Sequence, residues 1–388
     1  MAILFWFCVF LILYTYAGYP LLLMLLARLK PKPSPYPDDK PTVTLLIAAY
    51  NEEVVIAQKL ENSLALDYPK ERLQILVAAD GSNDRTAEIV QQFAGRGVEL
   101  LYQPERRGKM AAINRAMSQA RGEIIVFSDA NNLYQPDALS ALAAPFNDPQ
   151  VGAVSGAKHV VRGDGALGES EGLYWKYESL IKRQETRLGS CTGVSGEILA
   201  IRKVLFQTPP AYVINDDFYI AMQVIRQGYR LIYTPAARSY ERVSPTAQDE
   251  IARRSRIIAG RYQAIWLSPQ YLTWRNPWII WQVVSHKFLR PLVPLAMIGA
   301  FIANLWVVLF PPANSSLPLF ALTAPFSSLF LGLQIFFYLL AWLGGRFPSN
   351  KFLYLPAFLV NSNLAALIGL YRFLTRKQTS LWQRVARR

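Results

Sequence analysis

Apolar positions along the chain fall into two regimes. Ile3 to Leu26 is an almost unbroken apolar run without a charge, followed by Arg28, Lys30 and Lys32. At 1.5 Å per residue it reaches roughly 36 Å, enough to cross a bilayer with some tilt. It lacks the basic leader and cleavage site of a signal peptide, so a retained anchor over residues 1–28 is expected. The basic residues after it place the next segment in the cytoplasm. Pro31, Pro33, Pro35, Pro37 and Pro41 then make a stiff linker over 29–41.

From Val43 the periodicity changes to alternating strands and helices, the pattern of an α/β domain. Val43–Ala49 reads as the first strand and Val54–Leu64 as a helix. Leu73–Ala79 reads as the second strand. It ends in Asp80-Gly81-Ser82-Asn83-Asp84, where Asn83 or Asp84 can cap the helix that runs to Phe93. Val98–Tyr102 is a short third strand, Lys109–Ala120 a helix, and Glu123–Ser128 a fourth strand. Beyond Val151 the alternation fades. Val151–Ser155 looks like a strand, Ser170–Arg187 an amphipathic helix, and Gly193–Lys203 a Gly-rich loop running into a strand. Asp216–Gln227 reads as a helix closed by Gly228, and Asp249–Trp266 as a basic helix with Arg253, Arg254, Arg256 and Arg261. The domain so defined spans 42–268.

After Pro269 the chain turns aromatic and apolar again. Trp274, Trp278 and Trp281 with His286, Lys287 and Arg290 fit a helix lying in the membrane interface over 269–290. Leu292–Phe310 and Leu319–Leu343 suit membrane spans. Phe352–Leu374 is weaker, because it holds Pro356, Asn361, Ser362, Asn363 and Arg372. Residues 291–374 therefore supply two to three spans before a basic tail, 375–388. Four full spans would leave that tail outside, against the positive-inside rule, so either the last segment is re-entrant or interfacial, which is the expectation, or the rule fails here. The layout is that of a multi-pass protein of the cell (inner) membrane with its central domain in the cytoplasm.

Composition narrows the classes. The 388 residues are 52% hydrophobic with a mean hydropathy of +0.16, too apolar for an ordinary soluble enzyme and too polar for a pure membrane bundle. The formal charge of +14 raises nucleic acid as a partner. No basic stripe interleaved with aromatics and no nucleic-acid motif accompanies it, so an anionic leaflet and phosphate substrates explain the excess better. Cys8 and Cys191 exclude a disulfide framework, and His159 and His286 are too few for a zinc site. A transporter would carry polar residues deep in its spans, and only Asn361 and Asn363 qualify.

Candidate chemistry sits at the strand ends. Asn51 and Glu52 follow the first strand, Asp80 and Ser82 the second, Asp129 and Asn131 the fourth. Parallel strands of one sheet bring these to the same edge, where open α/β sheets bind ligands. Asp129-Ala130-Asn131 offers two hard oxygens, which suits Mg²⁺ or Mn²⁺ shared with substrate phosphates. The alternative for each is turn and cap chemistry, which favours the same residue types. Three polar ends in succession favour one nucleotide and metal pocket.

Ala48-Ala49-Tyr50-Asn51-Glu52, Asp80-Gly81-Ser82, Gly108-Lys109-Met110-Ala111-Ala112-Ile113-Asn114 and Asp129-Ala130-Asn131 match in order and spacing a known family. From Thr42 to Trp266 the chain resembles the membrane-bound family-2 glycosyltransferases. The likeness is to the branch of cellulose, hyaluronan and poly-N-acetylglucosamine synthases. The resemblance implies an α/β, Rossmann-like GT-A domain flanked by transmembrane helices. It also implies that Glu52 and Asp80, with Ser82, contact the nucleoside of a UDP-sugar, and that Lys109 approaches its phosphates. Asp129 and Asn131 would hold the metal; the family usually has a second Asp where Asn131 stands. Asn215-Asp216-Asp217 matches the family's acidic pair opening a helix, which makes Asp217 the expected general base. Without the resemblance, Asp216 and Asp217 read more readily as acids complementing a helix dipole than as catalytic groups.

Arg253-Arg254-Ser255-Arg256-Ile257 lies where processive members carry Gln-x-x-Arg-Trp. Arg256 then matches the Arg that neutralises the leaving diphosphate, assisted by Arg254. Arg253 replaces the Gln and Ile257 the Trp that helps seat the acceptor, a departure that counts against long-chain synthesis. Gly193-Val194-Ser195-Gly196-Glu197 matches the acceptor-side loop in position. The expectation is an inverting, metal-dependent glycosyltransferase acting on a polysaccharide or lipid-linked acceptor at the bilayer, with polysaccharide export partners conceivable. The alternatives are a single-transfer glycolipid enzyme with a ceramide- or polyprenyl-phosphate-type acceptor, and a non-catalytic nucleotide-sugar-binding subunit.

Overall fold

The computed structural model describes residues 1–31, 35–37, 39–160, 165–242, 247–312, 317–347 and 350–378. Lys32 and Pro33 of the linker and the basic tail beyond Gln378 lie outside the described residues. The chain divides into two compact units. One holds Leu25–Thr246 with Leu267–Ile280; the other holds Met1–Met24, Ala247–Trp266 and Trp281–Gln378.

The first unit is an α/β domain around one eight-stranded sheet. Its strands are β1 (Val43–Ala49), β2 (Leu73–Asp80), β3 (Val98–Gln103), β4 (Ile124–Asp129), β5 (Leu133–Tyr134), β6 (Val151–Val160), β7 (Leu199–Arg202) and β8 (Arg230–Glu241). They lie in the order β3-β2-β1-β4-β7-β6-β8-β5. β3, β2, β1 and β4 are mutually parallel, and β7 turns antiparallel against β4. β1, β2 and β4 are almost wholly buried apolar runs, as strands covered on both faces must be. Leu45, Ile47, Val77, Val126 and Ile198 form the centre of the core, joined by Ile56 and Leu60 of the helix Ile56–Leu64. Strand order reverses between β1 and β4, so their carboxyl ends open a crevice there.

The sheet extends further than the sequence pattern indicated. β6 runs to Val160 instead of stopping at Ser155, and the twelve-residue β8 pairs parallel to it. Register shifts interrupt that pairing: Ser155 faces Tyr233, but Ala157 faces Arg238. The chain bulges out over Thr234–Ala237, where Pro235 cannot donate to a ladder. Gly156 is needed opposite, because a Cβ there would come within 2.8 Å of the Ala237 carbonyl oxygen.

The second unit is helical. Among the described residues four helices are long and apolar enough to cross a membrane: Ala2–Arg28, Pro277–Leu309, Phe326–Arg346 and Leu355–Leu374. The first packs Phe5 and Cys8 against Ala296, Ala300 and Ala303. Tyr14 Oη accepts a hydrogen bond from Trp281 Nε1 at 2.9 Å and shares another with Ser285 at 2.8 Å. Residues 269–290, expected as one interfacial helix, are divided. A short helix ends at Tyr271, and a new one starts at Pro277 and continues through a π-helical turn at Val284–Phe288 into Leu289–Leu309. Lys351–Leu374, the weakest of the expected spans, is a continuous helix of 24 residues. Asn363 is accommodated there by donating to Leu359 O (2.8 Å) and Tyr16 Oη (3.4 Å). The basic helix Ala247–Trp266 lies close along it, since a Cβ on Gly369 would sit 2.9 Å from the Ser255 carbonyl oxygen.

Candidate active site

The crevice at the reversal point is an open cleft of about 490 Å³. Ala48, Ala49, Tyr50 and Glu52 line it from β1; Ala78 and Asp80 come from β2; Asp129 and Ala130 come from β4. Arg106, Gly108, Lys109 and Ala112 close the remaining side. Four of the expected residues, Glu52, Asp80, Lys109 and Asp129, therefore meet in one place.

Each is held by local chemistry. Asp80, only 3% exposed, accepts from the backbone N–H groups of Arg107 (2.9 Å) and Gly108 (2.6 Å) and pairs with Arg115 at 3.2 Å. It thereby pins the loop that delivers Lys109 to the cleft. Gly81, at φ +68°, lets this loop approach, because a Cβ would fall 2.6 Å from the Arg106 backbone. Arg106 stacks on the Tyr50 ring with its guanidinium 3.9 Å from the centroid. Ser82 does not line the cleft. Its hydroxyl accepts from Asn51 N at 3.1 Å and braces the left-handed turn at Asn51 (φ +53°). Glu52 N in turn donates to Thr86 Oγ1 at 2.7 Å.

Lys109 Nζ lies 2.7 Å from Asp129 Oδ1, with 25% and 22% of the two side chains exposed. Burial alone would lower the lysine's pKa, but Asp129, Asp216 and Asp217 outweigh it and raise it, so this lysine stays charged. Its coupling to Asp216 and Asp217 ties the start of the helix Asp216–Arg226 to the cleft electrostatically. Asp217 responds in the opposite sense. Burial, then the neighbouring Asp216, push its carboxyl up to about 6; Glu197 adds to this, while the Phe218 N–H and Lys109 oppose it. The N–H bond from Phe218 measures 2.7 Å. Gly196 permits the approach of the acceptor-side loop, since a Cβ would lie 2.9 Å from Asp217 Cβ and 3.1 Å from its Oδ2.

Asn131 stands beside the cleft and donates from Nδ2 to Glu241 Oε1 at 2.8 Å. Glu241 also pairs with Lys158, whose ammonium lies 3.5 Å from Glu197. Among the described residues no three His, Cys, Asp or Glu side chains converge as a closed metal cage. One partly exposed carboxylate, Asp129, with an adjacent amide oxygen fits a hard cation that draws its other ligands from substrate phosphates and water.

Arg254 and Arg256 belong to the helical unit. There Arg254 donates to Ser362 Oγ at 2.9 Å and lies over the Phe358 ring. Glu241, Lys158, Arg106 and Arg115 were not anticipated, nor were two residues behind the cleft, Lys59 and Asn132. Lys59 did carry a signal: it is a lysine on the buried face of a helix, between Ile56 and Leu60.

A Rossmann-like mixed sheet with acids and a lysine at its switch point defines a nucleotide-diphospho-sugar transferase fold of the GT-A type. Residues 44–208 match the family described as Glycosyl transferase family 2. Over these residues the chain is similar to family-2 glycosyltransferases. It is 29% identical over 245 residues to the poly-beta-1,6-N-acetyl-D-glucosamine synthase of Staphylococcus aureus (strain COL), covering 61% of this chain and 58% of that one. Over 271 residues it is 27% identical to "Probable glycosyltransferase YdaM" of Bacillus subtilis (strain 168), covering 64% of this chain and 62% of that one. The chain thus spans under two thirds of the length of these relatives. Among solved structures it is similar to the mannosyltransferase PcManGT from Pyrobaculum calidifontis in complex with GDP-Man and Mn²⁺. That likeness has a TM-score of 0.70 and 25% identity, and covers 97% of this chain and 100% of the other.

Proposed function

We propose that the protein moves a sugar from a nucleoside-diphosphate sugar to an acceptor hydroxyl, with inversion at the anomeric carbon and with Mg²⁺ or Mn²⁺ on the diphosphate. The observation that carries this reading is the convergence of Glu52, Asp80, Lys109 and Asp129 on one cleft. Asp216 and Asp217 lie within electrostatic reach of Lys109. Glu52 and Asp80 face the nucleoside, and Lys109 faces the phosphates. Asp129 and Asn131 would hold the cation, which supplies positive charge against the leaving diphosphate.

In this reading the acceptor oxygen forms its bond to the anomeric carbon as the bond from that carbon to the diphosphate oxygen breaks. The acceptor proton passes to the Asp217 carboxylate, whose raised pKa suits a base working near neutrality. No protein nucleophile is needed. Arg256 takes its role of neutralising the diphosphate from the sequence match alone, as does an assisting role for Arg254. Asp80, Asp129, Asp217 and Arg256 are all present, which argues against a non-catalytic subunit.

A UDP-sugar is the first donor reading, on the motifs shared with the polysaccharide synthases, and the acceptor is a polysaccharide end or a lipid-linked sugar. A GDP-sugar is the second, because the mannosyltransferase solved with GDP-Man is similar over nearly the whole chain. Ile257 in place of the acceptor-seating Trp supports single transfer to a lipid-linked acceptor. The enzyme would act at the cell (inner) membrane with its α/β domain in the cytoplasm. The test is a screen of UDP- and GDP-sugars with detergent-purified full chain and membrane lipid, with Mn²⁺ or with excess chelator, following nucleotide release and product size. Release and transfer from one donor class, abolished by chelator, supports the reading. No release from any donor contradicts it, and full activity in chelator removes the metal from the mechanism.

A further inference from the structure

Behind the cleft lies a polar cluster whose central residues, Lys59 and Asn132, have no solvent access. Lys59, 0% exposed, projects from the helix Ile56–Leu64 and donates from Nζ to Asn132 O (2.8 Å) and Asn132 Oδ1 (3.2 Å). The same ammonium sits 4.2 Å from the centroid of the Tyr134 ring. Asn132, also 0% exposed, uses its whole side chain. Oδ1 accepts from Ser128 Oγ at 3.1 Å as well as from Lys59, and Nδ2 donates to Ser239 Oγ (2.8 Å) and to Glu197 O (2.9 Å). Tyr134 Oη adds a bond to Glu197 O at 2.8 Å.

One amide thus joins three separate pieces of chain: the end of β4 that carries Asp129 and Asn131, the acceptor-side loop at Glu197, and β8 at Ser239. A buried ammonium is expensive to keep unless something uses it. Here its donors go to the residue directly after Asn131; burial pulls its pKa down to about 7, and the nearby Asp129 carboxylate opposes that fall. A methionine would fill the same space without the desolvation cost, so packing does not account for a lysine.

We propose that Lys59, acting through Asn132, is a positioning residue for the metal and diphosphate site, fixing the turn Asp129–Asn132 and its spacing from the Glu197 loop. This rests on the functional reading above. Outer partners that orient ligands typically change metal affinity by about 10- to 100-fold when removed.

The test uses detergent-purified full chain and measures three quantities: Mn²⁺ binding by electron paramagnetic resonance in the presence of UDP or GDP, the KM and kcat for donor, and the melting temperature. Lys59→Met is expected to weaken Mn²⁺–nucleotide affinity by about 10- to 100-fold and raise donor KM in step, and to lower the melting temperature modestly because Asn132 O loses its donor. Ser239→Ala, which removes one of two anchors on Asn132 Nδ2 and no charge, is expected to weaken affinity severalfold, and it carries the test if Lys59→Met does not fold. Wild-type affinity in the variants overturns the proposal, whatever happens to their melting temperature. A wild-type protein that binds neither nucleotide with Mn²⁺ overturns the functional reading itself, and this inference with it.

Discussion

Asp217 occupies a place where charging costs stability, so removing its charge should strengthen the fold while ending the reaction. Burial first and Asp216 second hold its carboxyl at about 6, against an ordinary 3.8. An acid whose pKa is raised on folding contributes stability that is fully present below its unfolded value and lost as pH rises through the folded one. The interval from 3.8 to about 6 corresponds to about 3 kcal/mol. Water still reaches part of this half-buried side chain, which trims the figure to about 2 kcal/mol. Asp217→Asn keeps the volume and the acceptor for the Phe218 N–H and removes only the charge. Thermal melts of the detergent-purified full chain, followed by tryptophan fluorescence, should place the variant roughly 4–8 °C above wild type at pH 7.5. The difference should shrink toward zero as pH falls to about 4. A variant that melts at or below wild type at pH 7.5 would refute the claim that this carboxylate is held ionised against its surroundings.

Two further outcomes follow from the same geometry. Gly196→Ala places a methyl 2.9 Å from Asp217 Cβ, so the acid must retreat by about half an ångström to reach ordinary contact. Because a misplacement of about 1 Å costs on the order of 100-fold, kcat should fall roughly 10- to 100-fold with nucleotide affinity intact, as measured by steady-state kinetics and calorimetry. The pH profile of kcat/KM should lose a factor of ten per unit below about 6, where Asp217 takes up a proton and no longer accepts one; a flat profile down to pH 5 would speak against this base.

Much of the site was legible because parallel strands covered on both faces announce themselves. Val43–Ala49, Leu73–Ala79 and Ile124–Phe127 are apolar runs that stop at polar residues, and a parallel sheet can only put those ends on one edge. The same logic failed at β8. Pro235 and Ala236-Ala237 break its alternation, and the strand exists because β6 offers a partner across a bulge, which is tertiary information. Glu241 and Lys158 were invisible for that reason, since they meet across β6 and β8 and share no local pattern. Ser82 was read as a ligand contact because of its motif, whereas the structure uses its hydroxyl to close the turn at Asn51. Lys59 was the recoverable omission. A lysine spaced at 3 from Ile56 and adjacent to Leu60 falls on the apolar face of its helix, where only a buried partner can explain it.

In the proposed mechanism Asp217 takes the acceptor's proton in a cleft that binds the donor independently of it. The direct measurement is single-turnover sugar transfer by wild type and Asp217→Asn at pH 7.5 with Mn²⁺, using the donor that the screen identifies, alongside the affinity of each for the nucleotide. Transfer is expected to fall by roughly 10²- to 10⁴-fold while nucleotide affinity stays within a few-fold of wild type. Transfer by Asp217→Asn at a near wild-type rate, with the nucleotide still bound, would contradict it.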